Sequence, residues 1–230
     1  MTHSAATGDT GRPRLLIVGA SARAAAQSAL RSGFAPVCAD LFADEDLRAV
    51  ADVLSVEDYP RGLVEAARRA PAGPWIYTGA MENHPRVIEA IAAWRPLWGN
   101  NAETVLRVRD PIQVQRVLAA ADLPHLEVRS AGDPPARDGR WMLKPLRSAG
   151  GHGIAIWDES AVRTSIRPKE HYFQPRIEGE PISALFVAAA GDVRLIGVSR
   201  QLVGCDWLNA SDFAYCGSVG PLHLDAASTQ

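Results

Sequence analysis

The spacing of hydrophobic and polar positions changes character near the middle of the chain. Up to residue 100, short apolar runs alternate with stretches of helical period. RLLIVGA (14–20) and APVCAD (35–40) are continuous apolar runs, as expected of strands covered on both faces. PWIYTG (74–79) and PLWG (96–99) read as two further strands. SARAAAQSALRSG (21–33), DEDLRAVADVL (44–54), PRGLVEAARRA (60–70) and HPRVIEAIAAW (84–94) repeat their apolar residues at helical spacing. Ser21 is the expected N-cap of the first helix and Gly33 its stop. This alternation predicts a parallel sheet with helices on its faces, an α/β domain over 14–100.

Beyond Asn100 the order is different. AETVLRVRD and PIQVQRVLAAADL read as two successive helices, with Pro111 at a helix start. EVRS precedes the loop AGDPPARDGR, and RWMLKPL and GIAIW then read as strands around a glycine loop. AVRTSIRP is a short helix candidate. HYFQPRI and PISALFVAAAGDVRLIGVSRQLVG read as antiparallel strands, with Gly191-Asp192 as the hairpin turn. The second half is therefore α+β, divided into 101–165 and 166–230. Residues 1–13 are small and polar and read as a disordered leader.

Composition narrows the function classes. A hydrophobic fraction of 47% and a charged fraction of 22% fit a globular protein. The net charge of −2, without a basic stripe, argues against nucleic acid. No apolar run approaches the ~20 residues of a membrane span. Cys38, Cys205 and Cys216 form neither a disulfide framework nor a zinc pattern, and they suggest a reducing, cytoplasmic setting.

The most informative chemistry lies in WMLKPLRSAGGHGIAIW (141–157). Ser148, Ala149, Gly150, Gly151, His152 and Gly153 form a side-chain-poor loop. Such loops let backbone N–H groups approach anionic oxygens. Lys144, on the preceding strand, offers a point charge to the same anion. A plain hairpin turn with a snorkelling lysine is the competing reading. The order excludes a P-loop, where the lysine follows the glycines and opens a helix. His152 is either a phosphate contact or a solvent-facing loop residue.

WMLKPLRSAGGHGI, followed by YFQPRIEGEPISALFV, resembles the ATP-grasp superfamily. The resemblance implies a Rossmann-like pre-ATP-grasp domain followed by an ATP-grasp domain. It implies ATP held by Lys144 at the α/β-phosphates and by residues 148–153 over the β/γ-phosphates. Gln174 would meet the adenine amino group, and the backbones of Arg176 and Ile177 the adenine edge. Glu178 and Glu180 would flank the ribose, whose usual carboxylate position is Pro181 here. Arg109 would replace a second lysine common in the family, and Arg200 is a further phosphate candidate. GASARAAAQSAL, YTGAMENHP, LWGN and VRDP are similar to bacterial ATP-grasp proteins found near pterin and methylofuran genes.

The implied activity is ligation of a small-molecule carboxylate, activated as acyl phosphate, to an amine or thiol in cofactor biosynthesis. The resemblance also implies magnesium on an acidic strand residue and a Glu-x-Asn segment. Residues 181–230 contain no glutamate. Asp206, Asp212 and Asp225 do not stand in that pattern, so no metal ligand is assigned. The expectation is an ATP-grasp domain truncated at its C-terminal end, either self-associating or completed by a partner chain. The alternative is a non-catalytic nucleotide-binding remnant.

Three further sites stay open. VGASARAAA with Asp40 resembles a dinucleotide-binding turn, without the full glycine pattern. Ser21 and Arg23, at a helix start, are substrate candidates. Glu82 and Asn83, in GAMENHP, either face substrate or, for Asn83, cap the helix beginning at Pro85.

Overall fold

Alternation in the first half produces a parallel sheet with two separate cores. The structure, a computed structural model, describes residues 11–160 and 166–223. Strands β1 (Arg14–Gly19), β2 (Ala35–Asp40), β3 (Asp52–Ser55) and β4 (Trp75–Tyr77) lie in the order β3-β2-β1-β4, all parallel. Leu16, Val18, Val37 and Ala39 point to one face. They pack there with Leu63 and Ala66 of α3 (Gly62–Arg69) and Ile88 and Ile91 of α4 (Pro85–Ala92). Leu15, Ile17 and Cys38 point to the other, against Ala26 and Ala29 of α1 (Arg23–Arg31). Period 2 in a strand covered on both faces therefore yields two apolar stripes rather than one.

Two expected elements differ. The helix expected over 44–54 stops at Arg48, forming the short α2 (Glu45–Arg48), and 52–55 instead extends the sheet as β3. There Val53 joins one core and Leu54 the other, an arrangement only a strand supplies. PLWG contributes a single bridge, Leu97 to Trp75.

The chain divides into Met1–Asp110 and Pro111–Gln230, beyond the division expected near 100. The reason is α5 (Ala102–Val108), capped by Asn101, whose Oδ1 accepts the Thr104 N–H at 2.8 Å. Its Val105 belongs to the core of the first unit.

Two buried ions hold the first unit's loops. Asp40, 1% exposed, accepts hydrogen bonds from the N–H groups of Ala22, Phe42 and Ala43 at 2.5, 2.9 and 2.6 Å. It thereby replaces Ser21 as the cap of α1, whose N-cap residue is Ala22. Arg95 donates to the carbonyls of Ala67 and Ala70 at the end of α3, and to those of Pro71 and Gly73. A guanidinium there matches the partial negative charge of a helix C-terminus.

The second unit opens with α6 (Pro111–Ala120) and holds two antiparallel sheets. Strands β5 (Arg129–Ser130), β6 (Trp141–Pro145), β7 (Ala155–Trp157) and β8 (His171–Pro175) form the first, in the order β5-β8-β6-β7. Leu143, Trp157 and Phe173 bury one of its faces, with Ala131. Strands β9 (Ile182–Ala189), β10 (Asp192–Val203) and β11 (Tyr215–Val219) form the second. The hairpin turn is Ala190-Gly191, one residue earlier than expected, with φ of 53° and 87°. A two-residue turn with positive φ at both positions matches the strand twist. The helix expected at AVRTSIRP lies largely outside the described residues.

Removing the Asp40 carboxylate strands the buried Ala22 N–H and leaves the part-buried Phe42 and Ala43 N–H groups to water. Asp40→Ala is expected to cost the first unit about 3 kcal/mol, measured by urea denaturation, at ~1–3 kcal/mol for each unsatisfied buried group.

Candidate functional site

Register in the first sheet of the second unit decides what faces the glycine loop's side. Leu143 pairs with Phe173 in the core, so Met142 and Lys144 turn to the opposite face, beside Gln174 and Tyr172. There the Lys144 ammonium donates to Gln174 Oε1 at 3.1 Å and lies 5.9 Å from the centre of the Tyr172 ring. Burial pushes the Lys144 pKa down. No carboxylate pairs with Lys144 among the described residues. A half-buried cation held only by neutral groups is primed for an anionic ligand.

The loop after β6 is folded on itself and fastened at one point. Ser148 Oγ donates to the His152 carbonyl at 2.5 Å, and the His152 N–H to Ala149 O at 3.2 Å. Gly150, Gly151 and Gly153 have φ of 61°, 81° and 77°, a region side chains disfavour. The Tyr215 N–H donates to Gly150 O at 3.0 Å, and a Cβ at Gly151 would overlap the Phe213 carbonyl. Residues 150–153 and 211–214 thus face one another across a cleft of about 610 Å³, with Asp158 and Ser160 on its wall. Ala149 and His152 are exposed.

The structure brings Lys144 and Gln174 together across thirty positions of sequence (174 − 144). Arg176 and Ile177 follow β8 and are exposed, but the Arg176 N–H is spent on Arg140 O at 2.8 Å. That leaves its carbonyl as the group it can offer a base edge. Glu180, the ribose candidate, forms an ion pair with Arg200, the phosphate candidate.

In the first unit the candidates fall into separate places. Arg23 reaches Asp44 and Asp46 at 3.6 and 3.5 Å, and Ser21 is exposed, its carbonyl accepting from Thr78 Oγ1. Asp40 has its oxygens on backbone N–H groups and is buried, which excludes the ribose role a dinucleotide site would give it. Asn83 does not cap α4, whose N-cap is His84; its Oδ1 accepts from Arg109 Nη2 at 2.8 Å. Arg109 also approaches Glu82 at 3.7 Å, and it belongs to the first unit. The Cys38 thiol, pushed up to about 12 chiefly by burial, is no nucleophile.

No group of three or more His, Cys, Asp or Glu able to hold a metal ion occurs among the described residues. Asp206 lies in a 3-10 turn and Asp212 on the cleft, while Asp225 lies outside the described residues. The residues on view do not fit a magnesium site. No helix among the described residues is long and apolar enough to cross a membrane.

Comparison with known proteins agrees with this geometry. The ATP-grasp domain family matches residues 110–229, nearly the whole second unit, and the chain belongs to that family. No curated protein matches the sequence. Among solved structures, the chain is similar to N5-carboxyaminoimidazole synthetase from Staphylococcus aureus complexed with ADP. Identity is 14% and the TM-score 0.66, over 94% of this chain and 60% of that one. It is also similar to an L-amino acid ligase from Bacillus licheniformis, at 14% identity and TM-score 0.67 over 96% and 57% of the two chains. At such identities the likeness is one of fold. The chain spans about 60% of the length of these neighbours.

Two parts of the site escaped the sequence reading. Tyr172 was reachable, because the alternation in HYFQP puts it on the face of Gln174. The 211–214 wall had no signal, since NASDFAY reads as an ordinary loop.

A lysine with a lowered pKa sheds its proton more readily when folded. Below that pKa the folded chain bears the full desolvation cost, which fades as pH rises toward the ordinary lysine value of 10.5. Lys144→Met is therefore expected to raise the urea midpoint at pH 7, with the gain shrinking toward pH 10.5.

Proposed function

We propose that the second unit binds ATP and that the chain uses it to join a small carboxylic acid to an amine or thiol. The observation that carries this reading is the Lys144 ammonium, half-buried and without a carboxylate partner among the described residues, on the strand that leads into the glycine loop. ADP in the Staphylococcus neighbour and the ligase chemistry of the Bacillus neighbour support it.

In this reading Lys144 neutralises the α/β-phosphates, and the loop from Ser148 to Gly153 turns backbone N–H groups to the β/γ-phosphates. The Gln174 carbonyl oxygen has two lone pairs, one taken by Lys144 and one open to the adenine amino group. Arg176 and Ile177 offer backbone groups to the base edge. The acid's oxygen attacks the γ-phosphorus and ADP leaves. The amine or thiol then attacks the acyl carbon and expels phosphate. Orienting ATP through phosphates and base keeps that attack in line. A cytoplasmic role in cofactor biosynthesis, of pterin or methylofuran type, fits the sequence resemblance and the three free thiols.

A second reading is favoured by the lack of a fitting metal cluster among the described residues. It makes the chain a nucleotide-binding subunit that works with a partner chain or a second copy. ADP release from Mg-ATP with candidate acids and amines separates the two, because a binding subunit alone releases none.

Lys144→Ala is expected to weaken ATP at least tenfold in calorimetric titration, at about 1.4 kcal/mol per factor of ten. Unchanged affinity would remove Lys144 from the phosphate site.

A further inference from the structure

Strand β9 lies at one end of the sheet β11-β10-β9 and pairs with β10 alone. Its other edge has no strand beside it among the described residues. An open edge is a row of N–H and C=O groups ready to pair with another strand, and proteins blunt it with charge, proline, a bulge or short length. β9 uses none of these. It runs for eight residues, and no charged residue stands between Glu180 and Asp192. Pro181 precedes the strand. The bulge of this hairpin falls on β10, where Ile196 is the extra residue between Leu195 and Gly197.

The side chains agree with the backbone. Leu185, Phe186 and Val187, at the centre of β9, are 62%, 56% and 55% exposed. Neighbouring positions point to opposite faces, so apolar surface flanks the open edge on both sides. Val193 of β10 is equally exposed at 61%, but it stands one strand further in, opposite Ala188.

We infer that two copies of the chain join through β9, antiparallel about a twofold axis near Leu185 and Phe186, into one six-stranded sheet. A strand without charge offers nothing to a nucleic acid or a charged peptide. What it complements is another uncharged, extended strand of the same length, and a twofold axis brings β9 against itself. The ladder and the flanks of Leu185, Phe186 and Val187 bury roughly 500 Å² on each copy. The total of about 1,000 Å² is at the lower bound of a specific interface, so the dimer is micromolar rather than nanomolar. The pairing gives the second-copy reading of the proposed function its surface. It is tested without nucleotide, so failure of ATP binding leaves it standing.

The test is sedimentation velocity on the full chain at about 1 and about 100 µM, concentrations that bracket a micromolar Kd. The mass is expected to move from 24.7 kDa toward twice that value. Amide hydrogen exchange over residues 182–189 should slow severalfold at the higher concentration. Leu185→Lys places two ammonium groups near the axis and is expected to weaken the dimer at least tenfold. Val193→Lys, as exposed but away from the edge, should change it less than twofold. A monomer at both concentrations would overturn the pairing and leave the edge to a strand of another protein. Equal loss in Val193→Lys would also overturn it, because the sheet face rather than its edge would then be the contact. Should Leu185→Lys fail to fold, as read by circular dichroism, Val187→Lys takes its place, and unchanged association in that variant has the same force.

Discussion

Side chains on neighbouring positions of a strand cannot share a face, and the second unit is organised around that constraint. Leu143 is drawn into a core with Phe173 and Trp157. Its neighbour Lys144 must then emerge on the opposite face, whatever that costs in hydration. The cross-strand register delivers Gln174 and Tyr172 to the same place. Hydrophobic burial on one side of the sheet thus sets the position of a charge on the other. The glycine loop follows one strand-end later.

The first unit uses charge differently. Asp40 and Arg95 are its buried polar residues, and both are consumed by backbone groups that the fold leaves over. Asp40 collects N–H groups near the start of α1, and Arg95 collects carbonyls at the end of α3. Each satisfies backbone groups that the secondary structure leaves unpaired.

Much of this was legible in the sequence. The apolar runs of β1 and β2 and the helical spacing of α1, α3 and α4 are periodic signals strong enough to stand alone. The lysine and glycines before Gln174 carried the family resemblance. What was hidden depends on contacts between distant segments. Nothing in SARAAA shows that Asp40 would displace Ser21 as the cap, nor that Val105 would move α5 into the first unit. Asp52–Leu54 reads as the end of a helix in the sequence because Val53 and Leu54 suit either state, and only β2 alongside decides. Trp75 and Trp157 fill cores as tryptophans are expected to, whereas Trp94, Trp98 and Trp207 are exposed.

The fastening of the glycine loop has a consequence for variation over evolutionary time. Gly150 is tied to Tyr215 through backbone atoms, and Gly151 lies under the Phe213 carbonyl. Neither contact reads the side chain of its partner. Residues 213 and 215 can therefore drift in identity while the path of their backbone stays fixed. Position 151 is bound the other way: it cannot acquire a side chain unless the opposing segment is rerouted. Insertions between β10 and β11 would be felt first at the loop rather than where they occur.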